Sequence, residues 1–119
     1  MARFLAVYTM KPEDVAAFRA RPRSEQDEID RAGLTAWEEW RERNAAAIIA
    51  ADVMVGKTKR VTTSGVADAH NNIAGSLIVE AADLAAAAAL FQDHPHITIF
   101  PGDGIDVMPV VSPPEDLPS

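Results

Sequence analysis

The chain has 119 residues, 48% of them hydrophobic, no cysteine and a formal net charge of −7. That length makes one domain able to bury a core, and the missing cysteines exclude a disulfide framework, a thiolate zinc site and a cysteine nucleophile. The acidic balance disfavours nucleic acid and anionic membranes as partners, both of which reward clustered Lys and Arg; with no run of roughly 18 apolar residues and no signal-peptide pattern, a cytoplasmic protein is expected.

Residues 3–9, Arg-Phe-Leu-Ala-Val-Tyr-Thr, read as a first strand that ends at Lys11-Pro12-Glu13-Asp14, a turn signal. Phe4, Ala6 and Tyr8 alternate with Leu5 and Val7, so both faces are apolar. Residues 13–20 fit a short helical turn, broken by Arg21-Pro22-Arg23. A long helix is expected from Ser24, as N-cap, to about residue 51, with acids in its first turn. Ile29, Gly33, Trp37, Trp40, Asn44, Ala47 and Ile48 recur at threes and fours and share a face. Gly33 is either a weak spot there or a place of close packing.

Residues 53–63 predict a second strand, ended by the turn Ser64-Gly65. Residues 66–72 form a polar connection with room for a short strand. Residues 74–81 hold strand three, again apolar on both sides. Asp83 caps a second helix over 84–92, whose five consecutive alanines let it lie close to a sheet. His94-Pro95-His96 ends it. Residues 105–111 make strand four, where Pro109 suggests an edge position or the strand's end. The domain is expected over 1–111, with 112–119 a tail.

The order β-α-β-β-α-β is the ferredoxin-like arrangement: an α+β fold with a four-stranded antiparallel sheet and both helices on one face. No element is left to cover the sheet's other apolar face. A second copy packed face to face would cover it, so a homodimer is expected.

Five features carry possible chemistry. Residues 51–58 satisfy a relaxed phosphate-loop pattern, but they follow a helix and run into a strand, the reverse of what phosphate cradling requires. Lys57, Lys59 and Arg60 either protect an edge strand or line a pocket for an anionic ligand. Asp93-His94-Pro95-His96 offers either a helix C-cap or acid–base groups, with Asp93 or Asp103 orienting an imidazole. A metal on His94-x-His96 is a further alternative. His70 lies near Asp68. Trp37 and Trp40 are core residues or a pocket wall, and Asn71-Asn72 is a turn or faces a cleft.

Several phrases together resemble the YCII-related family, and within it the branch called DGPF-domain proteins. They are Gly56-Lys-Thr-Lys-Arg-Val, Asn71-Asn-Ile-Ala-Gly-Ser-Leu-Ile-Val-Glu-Ala, Leu90-Phe-Gln-Asp-His-Pro-His, Phe100-Pro-Gly and Val107-Met-Pro-Val. The resemblance covers residues 1–111 and implies a dimeric α/β-barrel of the ferredoxin-like type. One relative is a dehydrochlorinase acting on a chlorinated hydroxyquinol. The smaller members have a proposed centre of a His before the first long helix and an Asp before a Pro after the second. This chain has Arg21-Pro22-Arg23-Ser24 at the first position and His94-Pro95 at the second. The resemblance therefore implies His94 as the pocket position, with Asp93, His70 or Asp68 as its partner.

Three functions are compatible with these features. The first is an enzyme without cofactor, acting on a small aromatic or carbonyl-bearing molecule. In it His94 shuttles a proton, Lys57, Lys59 or Arg60 holds a negative oxygen, and Asn72 and Trp40 contact the ligand. The second is a binding or accessory module using the same cleft. The third is a structural dimer.

Overall fold

A computed structural model describes residues 1–112; the expected tail lies, apart from Ser112, outside them. The elements are β1 (Ala2–Thr9), α1 (Pro12–Arg19), α2 (Arg23–Arg43), β2 (Val53–Met54), β3 (Thr58–Thr62), β4 (Gly65–Ala69), β5 (Ile73–Ala81), α3 (Leu84–Ala89), α4 (Pro95–Thr98) and β6 (Gly104–Pro109). The main sheet is antiparallel, in the order β2-β5-β1-β6. That is the expected four-stranded α+β arrangement, consistent with a ferredoxin-like fold.

Register sets the two faces. Phe4 pairs with Val79 and Pro109, Ala6 with Leu77 and Val107, Tyr8 with Gly75 and Ile105. Paired residues of an antiparallel ladder share a face, and this face is buried. It packs under Trp37 and Trp40 of α2, Ala87 of α3, and Phe91. The opposite face carries Leu5 paired with Ile78 and Met108, and Val7 paired with Ser76 and Asp106. Leu5, Val7 and Ile78 are only half-buried.

Three elements differ from their sequence-based expectation. The long helix starts at Arg23 with Pro22 as its cap residue, and no side chain caps it. It ends at Asn44, whose side chain turns back to donate to the Trp40 carbonyl at 2.9 Å. The expected second strand splits in two. Only Val53 and Met54 join the main sheet, because Val55-Gly56-Lys57 carries the chain away, and Thr58–Thr62 pairs with β4 as a separate hairpin. The residues after His94 do not merely stop a helix but form a new short one, α4, with Pro95 in its first turn.

Among the described residues, the hairpin packs extensively against no other element. The radius of gyration, 16.3 Å, exceeds the roughly 13.5 Å of a compact chain this long. Pro109 ends β6, an edge strand, where its missing N–H costs no ladder bond. Gly33 is a place of close packing: a Cβ there would lie 2.3 Å from the Phe100 ring.

Candidate functional site

Asp52 sits in the link between α2 and β2, inside a stretch where it is the sole charged residue from position 45 to 55. Its side chain is only 7% exposed. A buried carboxylate needs partners, and two converge on it. The Tyr8 hydroxyl, at the end of β1, donates to Oδ2 at 2.6 Å. The guanidinium of Arg41, in the last turn of α2, donates to Oδ1 at 3.2 Å. Arg41 also donates to Glu38 one turn earlier on the same helix. Burial, then the bond to Asp52 and its negative charge, hold the Tyr8 phenol well above the ordinary tyrosine range.

These groups border a cleft of about 470 Å³ between α2, the ends of β1 and β2, and the α4 region. Trp37, Phe100, Leu34, Met10 and Met54 give it apolar walls. Its charged lining consists of Glu38, Arg41 and Asp52. A concave apolar site with a few convergent polar groups is the usual form of a small-molecule pocket.

His96 borders this cleft too, although its ring is closed to solvent. Its Nε2 lies 2.8 Å from the Thr9 carbonyl oxygen. A carbonyl only accepts, so Nε2 carries the proton. The other nitrogen, Nδ1, is buried without a hydrogen-bond partner among the described residues. Burial lowers the His96 pKa, against the opposing pull of the Thr9 carbonyl and Asp103, and favours the neutral ring. Nδ1 is then a bare acceptor.

His94 lies one layer away from the cleft lining. It is fully buried, with its ring against Trp37, Trp40, Tyr8 and Phe91 at centroid distances of 4.5, 4.6, 5.4 and 5.9 Å. Its Nδ1 accepts the His96 backbone N–H at 3.0 Å and caps α4. Desolvation, with the neighbouring His96, pulls its pKa down to about 4. Asp93, just before it, points to solvent from a left-handed backbone with φ 61°, a conformation Asp tolerates better than most residues. The reversal at Asp93 turns His94 inward.

The structure separates the remaining sequence-predicted residues from this cleft. Lys57, Lys59, Asp68 and His70 line a second cavity on the β3–β4 hairpin, where Lys59 pairs with Asp68. Arg60 is exposed on β3. Asn72 is exposed, and its carbonyl accepts the Met10 N–H at 2.8 Å. Trp40 is core, its indole N–H satisfied by the Leu90 carbonyl at 2.9 Å. Sequence reasoning left out Asp52, Arg41 and Tyr8. The available signal was one carboxylate alone in eleven otherwise uncharged residues, beside a strand start.

No family model and no curated protein matches the chain. Among solved structures it is similar to a 5-chloro-2-hydroxyhydroquinone dehydrochlorinase from Burkholderia phenoliruptrix AC1100, in complex with 2,5-dihydroxybenzoquinone. The identity is 17%, 88% of this chain and 89% of that one are covered, and the TM-score is 0.48. A likeness at that level leaves the chemistry to be read from the residues of the cleft itself.

Proposed function

We propose that the protein is a cofactor-independent enzyme that moves a proton on a small aromatic or carbonyl-bearing molecule held in the cleft beside α2. Asp52 takes and returns the proton. The observation that carries this reading is the Asp52 carboxylate, nearly closed to solvent yet bordering an apolar cleft. A carboxylate has about four lone-pair sites, and Tyr8 and Arg41 occupy two of them. The carboxylate is thereby oriented with acceptor capacity left for a ligand. Trp37 and Phe100 supply flat walls for a ring.

The second reading is a non-catalytic binding or accessory module. It is favoured by the fact that each Asp52 oxygen already accepts a hydrogen bond, as in a purely structural clamp. Asp52→Asn separates the two. A panel of phenols and carbonyl compounds would be followed by ultraviolet absorbance for turnover and by thermal shift for binding. The enzyme reading expects Asp52→Asn to keep binding and lose turnover by roughly 100-fold or more. Ligands that bind both proteins alike, with turnover in neither, decide for the module.

The reading extends to a homodimeric protein of the YCII-related family, DGPF branch, acting in the cytoplasm. Support for the dimer comes from the half-buried apolar face of Leu5, Val7 and Ile78 and from the hairpin. A two-stranded hairpin with no cover is marginal in water, and this one exposes Val61 and Val66. His94 acts here through packing and helix capping, with Asp93 as its turn. Lys57, Lys59, Arg60, Asp68, His70 and Asn72 are assigned to the hairpin side of a ligand or partner contact.

A further inference from the structure

We infer that the cleft beside α2 takes an aromatic ligand whose polar end donates hydrogen bonds and carries no negative charge, a protonated amine before a neutral hydroxyl, and that it rejects carboxylates. This deepens the proposed function and rests on the cleft being a ligand site.

The charges on its lining support this. Glu38 and Asp52 face one cation, Arg41, whose terminal nitrogens already donate to both carboxylates. An entering anion would meet a site with one negative charge in excess and a guanidinium that already gives two of its five N–H groups to those carboxylates. Arg41 Nε, which has no hydrogen-bond partner among the described residues, is closed to solvent. The chain's net charge of −7 adds a longer-range repulsion.

The hydrogen-bonding inventory points the same way. The Tyr8 hydroxyl spends its proton on Asp52. The His96 Nε2 proton goes to the Thr9 carbonyl, leaving Nδ1 as an acceptor with no partner among the described residues. The carboxylates Asp52 and Glu38 therefore keep unused acceptor sites at the cleft, while His96 Nδ1 and Arg41 Nε are both closed to solvent. A ligand that brings donors fills those acceptor sites, whereas a carboxylate adds further acceptors beside them and can pair only with the N–H groups of Arg41 that Glu38 and Asp52 leave over. The aromatic lining of Trp37 and Phe100 is also better suited to a cation than to an anion, because a ring face attracts positive charge.

Three probes sharing one ring test this: benzylamine, benzyl alcohol and benzoate. Each would be titrated at neutral pH into the full chain, with binding followed by the Trp37 indole N–H resonance. The expected order is benzylamine, then benzyl alcohol, then benzoate. The amine should bind at least about 10-fold tighter than the carboxylate, a ratio one excess charge supports near a partly screened site. Glu38→Gln, on an exposed side chain, should narrow that ratio without unfolding the protein. Benzoate binding as well as or better than benzylamine overturns this inference and leaves the cleft reading standing. If no probe moves the Trp37 signal at millimolar concentration, the cleft reading fails and this inference with it.

Discussion

His94 and His96 are coupled through the backbone of a single turn: the His96 N–H donates to His94 Nδ1 at 3.0 Å, while the His96 ring donates in the opposite sense to the Thr9 carbonyl at 2.8 Å. The first bond requires an unprotonated Nδ1 and so a neutral His94 with its proton on Nε2; the second places a proton on His96 Nε2, and burial favours the neutral form of that ring. His94 Nε2 then has no hydrogen-bond partner among the described residues and faces aromatic carbon.

Acid should therefore loosen the fold through His94. Its folded pKa, about 4, lies below the unfolded value of 6.5. The unfolded chain takes up a proton that the folded chain refuses, so stability is full above about pH 6.5 and falls as the pH drops towards 4. The loss approaches about 3 kcal/mol, since each pH step between the two values removes about 1.4 kcal/mol. The lowered His96 acts in the same direction. Urea melts at pH 7.5, 6, 5 and 4.5 would measure it. His94→Phe should flatten the curve between pH 6.5 and 4.5, at the expense of about 1 kcal/mol for the lost helix cap. A wild-type midpoint that stays constant over that range would show that His94 titrates normally.

Alkali provides a second, independent probe, because Tyr8 is the sole tyrosine of the chain. Its folded pKa is raised well above 10 by burial and by Asp52. A phenol with a raised pKa stabilises the fold below its unfolded pKa, near 10, and that contribution is lost as the pH climbs beyond it. Tyrosinate absorbance at 295 nm should remain flat through pH 10.5. It should then rise together with the loss of the circular dichroism signal, in one transition. Ionisation near pH 10 with the fold intact would mean the Tyr8–Asp52 bond is absent in solution.

Gly102 tests how tightly the His96 ring is held. A Cβ there would stand 2.3 Å from Nε2 and 2.5 Å from Cδ2 and Cε1. The ring is fully buried and cannot yield without breaking its bond to Thr9. Gly102→Ala should cost roughly 1–3 kcal/mol. Gly56→Ala is the control, since a Cβ at Gly56 meets nothing within 4 Å among the described residues; it should be neutral or slightly stabilising. Equal melting temperatures for the two variants would mean that His96 has room to move.

Periodicity made the scaffold legible because both strand faces and the α2 stripe repeat over many residues. Gly33, Trp37 and Trp40 lie on the buried face of α2, as their spacing predicts. The site was harder to read. Histidines before a proline suggest a reactive loop, but the left-handed turn at Asp93 directs His94 into the core, and no pattern of apolar residues encodes that reversal. Asp52 gains its place from Tyr8, 44 residues away, and from Arg41 across the end of a helix. Such a contact is set by sheet register and helix length together. The split of the second strand has the same origin: the sequence 53–63 is uniformly extended in character, and only the pairing partners distinguish its halves.

The open face of the sheet yields the last prediction. Leu5, Ile78 and Met108 form a cross-strand row there, with Val7 beside it and the Arg3–Glu80 pair at its margin. If a second copy covers this face, a charge at its centre must be desolvated against apolar side chains, which is costly without a partner. Leu5→Glu should then convert a species of twice 12.8 kDa into the monomer in sedimentation equilibrium at micromolar concentration. Its far-ultraviolet circular dichroism should be retained, since Leu5 points away from the Phe4, Ala6 and Tyr8 core. A double variant, Leu5→Glu with Ile78→Lys, places opposite charges directly across the strand pair. Such a pair recovers at most about 1 kcal/mol within one chain, too little to restore a dry interface, so this variant should also be monomeric. A wild-type chain that already sediments at 12.8 kDa would refute the dimer, and the exposed valines of the hairpin would then need another partner.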